Sequence, residues 1–167
     1  MADWSFYTND TERGKVELVS PGKEGEYCVK FSVYSPSGVG SVYAYLERLN
    51  FLCKEFTIIT WYKGDGGRVW HKSYAVDDYE EIYGFGLPSS SDWVKVKVVC
   101  YYDESLDMRI REIYTYNEET GEWEEWEKKS VGTGAPAEKS LAIGAFVPTN
   151  EGLKVAYYDN TYCYVPS

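Results

Sequence analysis

The chain has 167 residues, 44% of them hydrophobic and 26% charged, which suits one domain with a sizeable core and is too short for two ordinary ones. Its 27 acidic groups against 17 basic give a net charge of −10, a field that repels nucleic acid and anionic lipid at long range. No stretch approaches the ~20 apolar residues that cross a bilayer, so nucleic-acid binding and membrane insertion are set aside as functions.

Met1-Ala2-Asp3-Trp4 carries none of the basic, apolar, small-residue series of a signal peptide. The chain reads as cytosolic or as a mature secreted domain begun at a new Met. Residues 26–34 form the first expected strand, with Tyr27, Val29, Phe31 and Val33 on one face and Lys30 and Ser32 on the other. After the turn at Ser35-Pro-Ser-Gly-Val-Gly40, residues 41–49 are compatible with a strand or a short helix and are assigned as strand. They send Val42, Ala44 and Leu46 one way and Tyr43, Tyr45 and Glu47 the other. Residues 55–63 and 68–74 are expected to pair as a hairpin across Gly64-Asp-Gly-Gly67, whose glycines supply positive φ.

Residues 75–92 are loop-like, with Gly84-Phe-Gly-Leu-Pro88 and Ser89-Ser-Ser91, the kind of segment in which binding residues gather. Residues 93–102 make the clearest strand: Val94, Val96, Val98 and Cys100 inward, Lys95 and Lys97 to water. Residues 108–116 and 122–127 form a hairpin around Gly121, residues 141–147 follow, and residues 153–165 form an aromatic strand that closes a sheet. Spacing predicts about ten strands and little helix, hence an all-β, antiparallel two-sheet sandwich in a single domain spanning 1–167. Cys28, Cys53, Cys100 and Cys163 lie far apart and the chain has one histidine, which argues against zinc. Two disulfides in any of three pairings, or buried free thiols, both fit.

Four segments resemble the concanavalin A-like lectin/glucanase sandwiches and the jelly-roll carbohydrate-binding modules. They are Ser91-Asp-Trp-Val-Lys-Val-Lys-Val98, the hairpin from Arg111-Glu-Ile-Tyr-Thr-Tyr116 to Gly121-Glu-Trp123, Leu141-Ala-Ile-Gly-Ala-Phe146 and Val155-Ala-Tyr-Tyr-Asp-Asn160. Together they cover roughly the C-terminal half. The resemblance implies a jelly roll at the cell surface or outside the cell, with a polysaccharide or other glycan as partner and a sheet face or loop edge that holds it.

Sugar C–H faces stack on flat rings, and 17 Tyr with 6 Trp exceed what a core of this size needs. The candidates are Trp61, Trp70, Trp123 and Trp126, with Tyr62, Tyr83 and His71 behind them. Trp61 and Trp70 are expected to be neighbours across their hairpin. In such modules an acidic residue of the last strand ligates a structural calcium, and Asp159 and Asn160 sit at the matching place. The alternative is a hydrogen-bonded aspartate beside a strand bulge, because one acidic pair supplies few of the six to eight oxygens calcium takes.

Glu122-Trp-Glu-Glu-Trp-Glu127 is similar to the Glu-x-Asp-x-x-Glu signature of sandwich glucanases and departs from it at Glu124. It reads more simply as a solvated strand face, and no catalytic residue is assigned. With His71 as the single histidine there is no triad, and no Lys-Ser/Thr follows the glycine run to make a phosphate cradle. The leading expectation is a non-catalytic glycan-binding module. The alternatives are a virion, surface-layer or appendage subunit whose exposed aromatics join copies into a homo-oligomer, and, third, a sandwich hydrolase or lyase.

Overall fold

The computed structural model describes residues 4–72 and 83–166. Twelve strands follow in chain order: β1 (Trp4–Thr8), β2 (Gly14–Val19), β3 (Cys28–Ser35), β4 (Val42–Cys53), β5 (Phe56–Gly64), β6 (Gly67–Lys72), β7 (Tyr83–Gly86), β8 (Ser90–Asp103), β9 (Met108–Asn117), β10 (Glu122–Thr133), β11 (Lys139–Val147) and β12 (Gly152–Tyr164). They build a five-stranded sheet in the order β1-β4-β11-β6-β7 and a seven-stranded sheet in the order β10-β9-β8-β5-β12-β3-β2, with antiparallel pairing throughout. The expected all-β two-sheet sandwich is therefore the observed architecture, and the described residues contain no helix.

Alternation decides which face of each strand meets the other sheet. In β8, Val96 and Val98 are fully buried and Cys100 nearly so, while Lys95 and Lys97 lie on the opposite face. Each buried valine contributes about 1.5–3 kcal/mol, so a one-residue slip would lose that burial and drive two ammonium groups into the core. The same parity places Phe31 and Val33 of β3, Ile58 and Tyr62 of β5, and Tyr158 of β12 in the interior. Tyr158 spans the two layers: its hydroxyl donates to the Gly144 carbonyl of β11 and accepts the Arg68 N–H of β6 at 3.1 Å. The Tyr62 oxygen accepts the Gly67 N–H at 3.0 Å.

Four sequence expectations change. Residues 64–67 do not close a hairpin: β5 belongs to the seven-stranded sheet and β6 to the five-stranded one, so this glycine run is a corner between layers. Gly64 (φ 116°) and Gly66 (φ 75°) take left-handed backbone there, and a Cβ on Gly64 would lie 2.0 Å from the Val155 carbonyl oxygen. The Asp65 N–H donates to that same oxygen at 2.9 Å, and the Asp65 carboxylate pairs with Lys154 at 2.6 Å. β12 lies inside its sheet, between β5 and β3, rather than at a closing edge. Residues 83–86 of the expected loop form the short edge strand β7, while residues 73–82 lie outside the described residues. β1 and β2 lie outside the expected strands: in β1 the adjacent Phe6 and Tyr7 break the alternation, and in β2 the alternating run is only Lys15-Val16-Glu17-Leu18, with Leu18 65% exposed. All four cysteines are free: Cys28, Cys53 and Cys100 are buried and Cys163 is exposed.

Candidate functional site

The face of the seven-stranded sheet turned away from the core carries rings and ammonium groups in alternation. The register opposes Trp61 of β5 to Lys95 of β8, Lys97 of β8 to Tyr114 of β9, and Tyr116 of β9 to Trp123 of β10. All have the parity opposite to the core residues Tyr62, Val96 and Ile113. Lys97 Nζ lies 4.7 Å from the Tyr114 centroid and 4.6 Å from that of Trp123, and Lys95 Nζ lies 5.7 Å from Tyr116 and 6.0 Å from Trp61. One row further along, Lys63 Nζ sits 5.1 Å from Trp93 and 4.7 Å from Tyr157 of β12. Trp93 and Tyr157 meet edge to face at 6.4 Å, as Tyr116 and Trp123 do at 5.1 Å. Such cation–π contacts contribute about 0.5–1 kcal/mol each at exposed positions and hold the lysine stems along the sheet.

At the Lys63 end the face opens into a depression of about 620 Å³ bordered by Lys63, Asp65, Tyr157 and the hydroxyl-bearing Ser89, Ser90 and Ser91. Two carboxylates are already committed to partners. Ser89 Oγ donates to Asp65 at 2.7 Å, and Lys154 and then Ser89 hold the Asp65 carboxyl below its ordinary range. Glu112 accepts from Tyr101 at 2.9 Å and from Tyr114, and it pairs with Lys128 at 3.3 Å. That carboxylate, with burial, pushes the Tyr114 phenol up to about 12, so the ring keeps its proton and presents its face.

Trp61 sits at the covered end of the row and is only 8% exposed. Its Nε1–H donates to Glu24 at 2.6 Å, and Lys23 Nζ lies 4.8 Å from its ring. The loop that bears these two residues is held by Asp159, whose Oδ2 accepts the N–H of Lys23 at 2.7 Å and of Glu24 at 2.9 Å. Asn160, at φ 51° beside the bulge between Asp159 and Tyr162, donates to the other Glu24 oxygen. Backbone N–H groups thus point at the carboxylate oxygen where calcium would need further oxygens, and the donor set does not fit that ion. Among the described residues no three His, Cys, Asp or Glu side chains gather at a metal-binding spacing. Of the two readings of Asp159 and Asn160, the hydrogen-bonded aspartate beside a bulge matches the geometry.

The remaining candidates are scattered. Tyr62 is fully buried and faces the opposite way from Trp61, as consecutive strand residues must, which removes it from an outer surface. His71 is 3% exposed, with Nε2 2.8 Å from the Cys53 carbonyl oxygen and its ring 5.1 Å from Phe56. Burial pushes His71 down to about 4, so the ring is neutral and Nε2–H donates. Trp70 lies on the outer face of the five-stranded sheet, packed with Tyr45 and Ala142, and so is not the neighbour of Trp61 that a hairpin would have made it. Tyr83 pairs with His71 through its backbone, and its side chain lies outside what is described. Trp126, 48% exposed, sits in the β10 bulge between Glu125 and Glu127. Within the Glu-rich segment, Glu122, Glu124 and Glu125 are exposed, and Glu127 pairs with Arg111 and Lys129.

Trp61 and Trp123 are thus the sequence candidates that share the ringed face. Trp93, Tyr114, Tyr116, Tyr157 and the three lysines were missed as site residues. The signal for each was present in its own strand's alternation, but only strand order and register place them side by side.

No protein-family model and no curated protein matches the chain. Among solved structures, the cellulose-induced protein Cip1 superposes with a TM-score of 0.52 at 10% identity, over 99% of this chain and 92% of that one. A cleaved adhesin domain of Lys-gingipain from Porphyromonas gingivalis gives 0.50 at 12%, over 100% and 93%. Peanut lectin gives 0.48 at 9%, over 98% and 93%. At these identities the likeness is one of fold. The chain has the two-sheet jelly-roll sandwich fold that its resemblance to concanavalin A-like lectins and carbohydrate-binding modules implied.

Proposed function

We propose that the chain is a non-catalytic glycan-binding module that holds a saccharide on the outer face of its seven-stranded sheet. One observation carries the reading: five rings outside the covered Trp61 (Trp93, Tyr114, Tyr116, Trp123 and Tyr157) line one face, interleaved with lysines and running toward a serine-bordered depression. Flat apolar rings with polar groups between them suit pyranose rings, whose C–H faces stack while their hydroxyls need donors and acceptors. The fold supports this at a coarser level, since sandwiches of this kind include lectins and sugar-binding modules, and it points to a cell-surface or extracellular setting.

The test is affinity electrophoresis and isothermal titration against a polysaccharide panel with wild type, Trp93→Ala, Trp123→Ala and, outside the row, Trp126→Ala. Loss of one stacked ring is expected to weaken binding about tenfold or more, with Trp126→Ala close to wild type. Retention of no polysaccharide by the wild type, or equal binding by all variants, would refute the assignment.

A second reading, self-association, is favoured by edge strand β1, where Phe6 is 41% and Tyr7 48% exposed. Sedimentation over a wide concentration range tests it, and a monomer throughout counts against it.

A further inference from the structure

Resting on that reading, we infer that the saccharide held on this face is anionic, a chain bearing carboxylate or sulfate groups that Lys63, Lys95 and Lys97 receive between the stacking rings. On a sheet face that binds only neutral sugars, the polar positions between rings call for groups that both donate and accept. Here the three side chains nearest the rings are donors that also carry charge.

None of the three lysines is ion-paired among the described residues; each rests over two rings instead. The carboxylates around the face are otherwise engaged. Glu24 holds Trp61 and Asn160, Asp159 holds two backbone N–H groups, Glu112 holds two tyrosines and Lys128, and Asp65 pairs with Lys154. Glu125, opposite Tyr114 on the outermost strand, and Glu17, across Lys30 from Tyr157, are exposed acidic side chains at the rim. The patch is therefore cationic on a protein of net charge −10.

At physiological ionic strength fields fade over about 8 Å, so a ligand lying on the patch meets the lysines first, while the acidic surround repels it at longer range. A glycan with one charge per sugar and apolar ring faces matches this alternation better than a nucleic acid, whose backbone is far more densely charged. Lys95 and Lys97, two residues apart on one strand face, stand about 7 Å from each other along β8, which suits separate charges on a repeating chain rather than one chelated anion.

The experiment titrates the full chain with polygalacturonate and with dextran sulfate, each beside its uncharged counterpart, methyl-esterified galacturonan and dextran, and with duplex DNA. Variants are Lys95→Met/Lys97→Met, Lys63→Gln and, at the far edge of the same sheet, Lys15→Met. Expected is binding to at least one charged glycan about tenfold or more tighter than to its uncharged partner, weakening as salt rises. The double variant is expected to lose about that factor and Lys15→Met to keep wild-type affinity. The wild-type comparison of charged and uncharged glycans stands even if a lysine variant fails to fold. Equal affinity for charged and uncharged forms, or a folded double variant that binds as the wild type does, overturns the anionic assignment and leaves glycan binding in place. Binding to no polysaccharide overturns both. DNA held as tightly as the charged glycans, through the same lysines, overturns the assignment in favour of unspecific polyanion capture.

Discussion

Replacing Tyr158 by Phe removes one oxygen from the centre of the sandwich and with it two bonds that join the layers. The hydroxyl donates to Gly144 and accepts from Arg68, both on the opposite sheet, in a site with 1% exposure. A buried hydrogen bond contributes about 0.5–1.5 kcal/mol net, so Tyr158→Phe is expected to cost about 1–3 kcal/mol. For a domain of this size that lowers the melting temperature by roughly 2–4 °C per kcal/mol. Tyr62 offers an internal comparison, because its oxygen accepts only the Gly67 N–H. Tyr62→Phe should cost about half as much, and because the two rings are cross-strand partners 5.4 Å apart, the double variant should depart from additivity by about 0.5 kcal/mol or more. Urea unfolding followed by tryptophan fluorescence and by circular dichroism supplies the numbers and checks that the transition is two-state. A Tyr158→Phe midpoint indistinguishable from wild type, or a larger loss in Tyr62→Phe, would refute the claim that these phenols join the sheets.

Three further outcomes follow from other residues. His71 takes a proton near pH 4 in the folded chain against 6.5 in an unfolded one. Both states are neutral above 6.5, and between 6.5 and 4 only the unfolded chain gains the proton. Stability should therefore fall by about 2 kcal/mol from pH 6.5 to pH 5, a slope that urea midpoints would find flattened in His71→Gln. At Gly144, where a Cβ would lie 2.0 Å from the Ala44 carbonyl oxygen in the paired strand, Gly144→Ala should cost about 3 kcal/mol by thermal melting, and a neutral effect would contradict the close approach of β11 and β4. Native protein should react with a thiol reagent at no more than one cysteine by mass spectrometry. That cysteine is the exposed Cys163, because Cys28, Cys53 and Cys100 are buried; its labelling should be slow and speed up at high pH, since partial burial pushes the Cys163 thiol up to about 11. Labelling of three or more without denaturant would show the interior to be open.

The inward positions of β3, β5 and β8 were legible because their polar and apolar residues alternate with period two and turn residues bound each run. β1 and β2 were less legible as edge strands with water on much of both faces: Phe6-Tyr7 interrupts the alternation of Trp4-Ser-Phe-Tyr-Thr8, and Lys15-Val-Glu-Leu18 alternates over four residues only, too short a run to mark a strand by itself. The glycine corner was misread for a different reason. A run with positive φ reverses the chain equally well within one sheet or between two, and which of these occurs depends on partners far away in sequence: Val155, Lys154 and Ser89.

The site divides in the same way. Lys95 and Lys97 could be assigned to water from their own strand, and surplus rings were countable in the composition. That Tyr114, Tyr116 and Trp123 meet those lysines, and that Trp93 and Tyr157 meet Lys63, depends on β10, β9, β8, β5 and β12 lying in that order. That Trp61 is covered depends on an aspartate 135 residues further along the chain than Glu24. The sequence by itself determined nine of the twelve strands and the inward face of most of those, since alternation and turn chemistry act over a few residues. Strand order, register and layer were decided only by tertiary structure, because long-range pairing is chosen by how all the inward faces fill one core together, and the ring-and-lysine face exists only as a product of that choice.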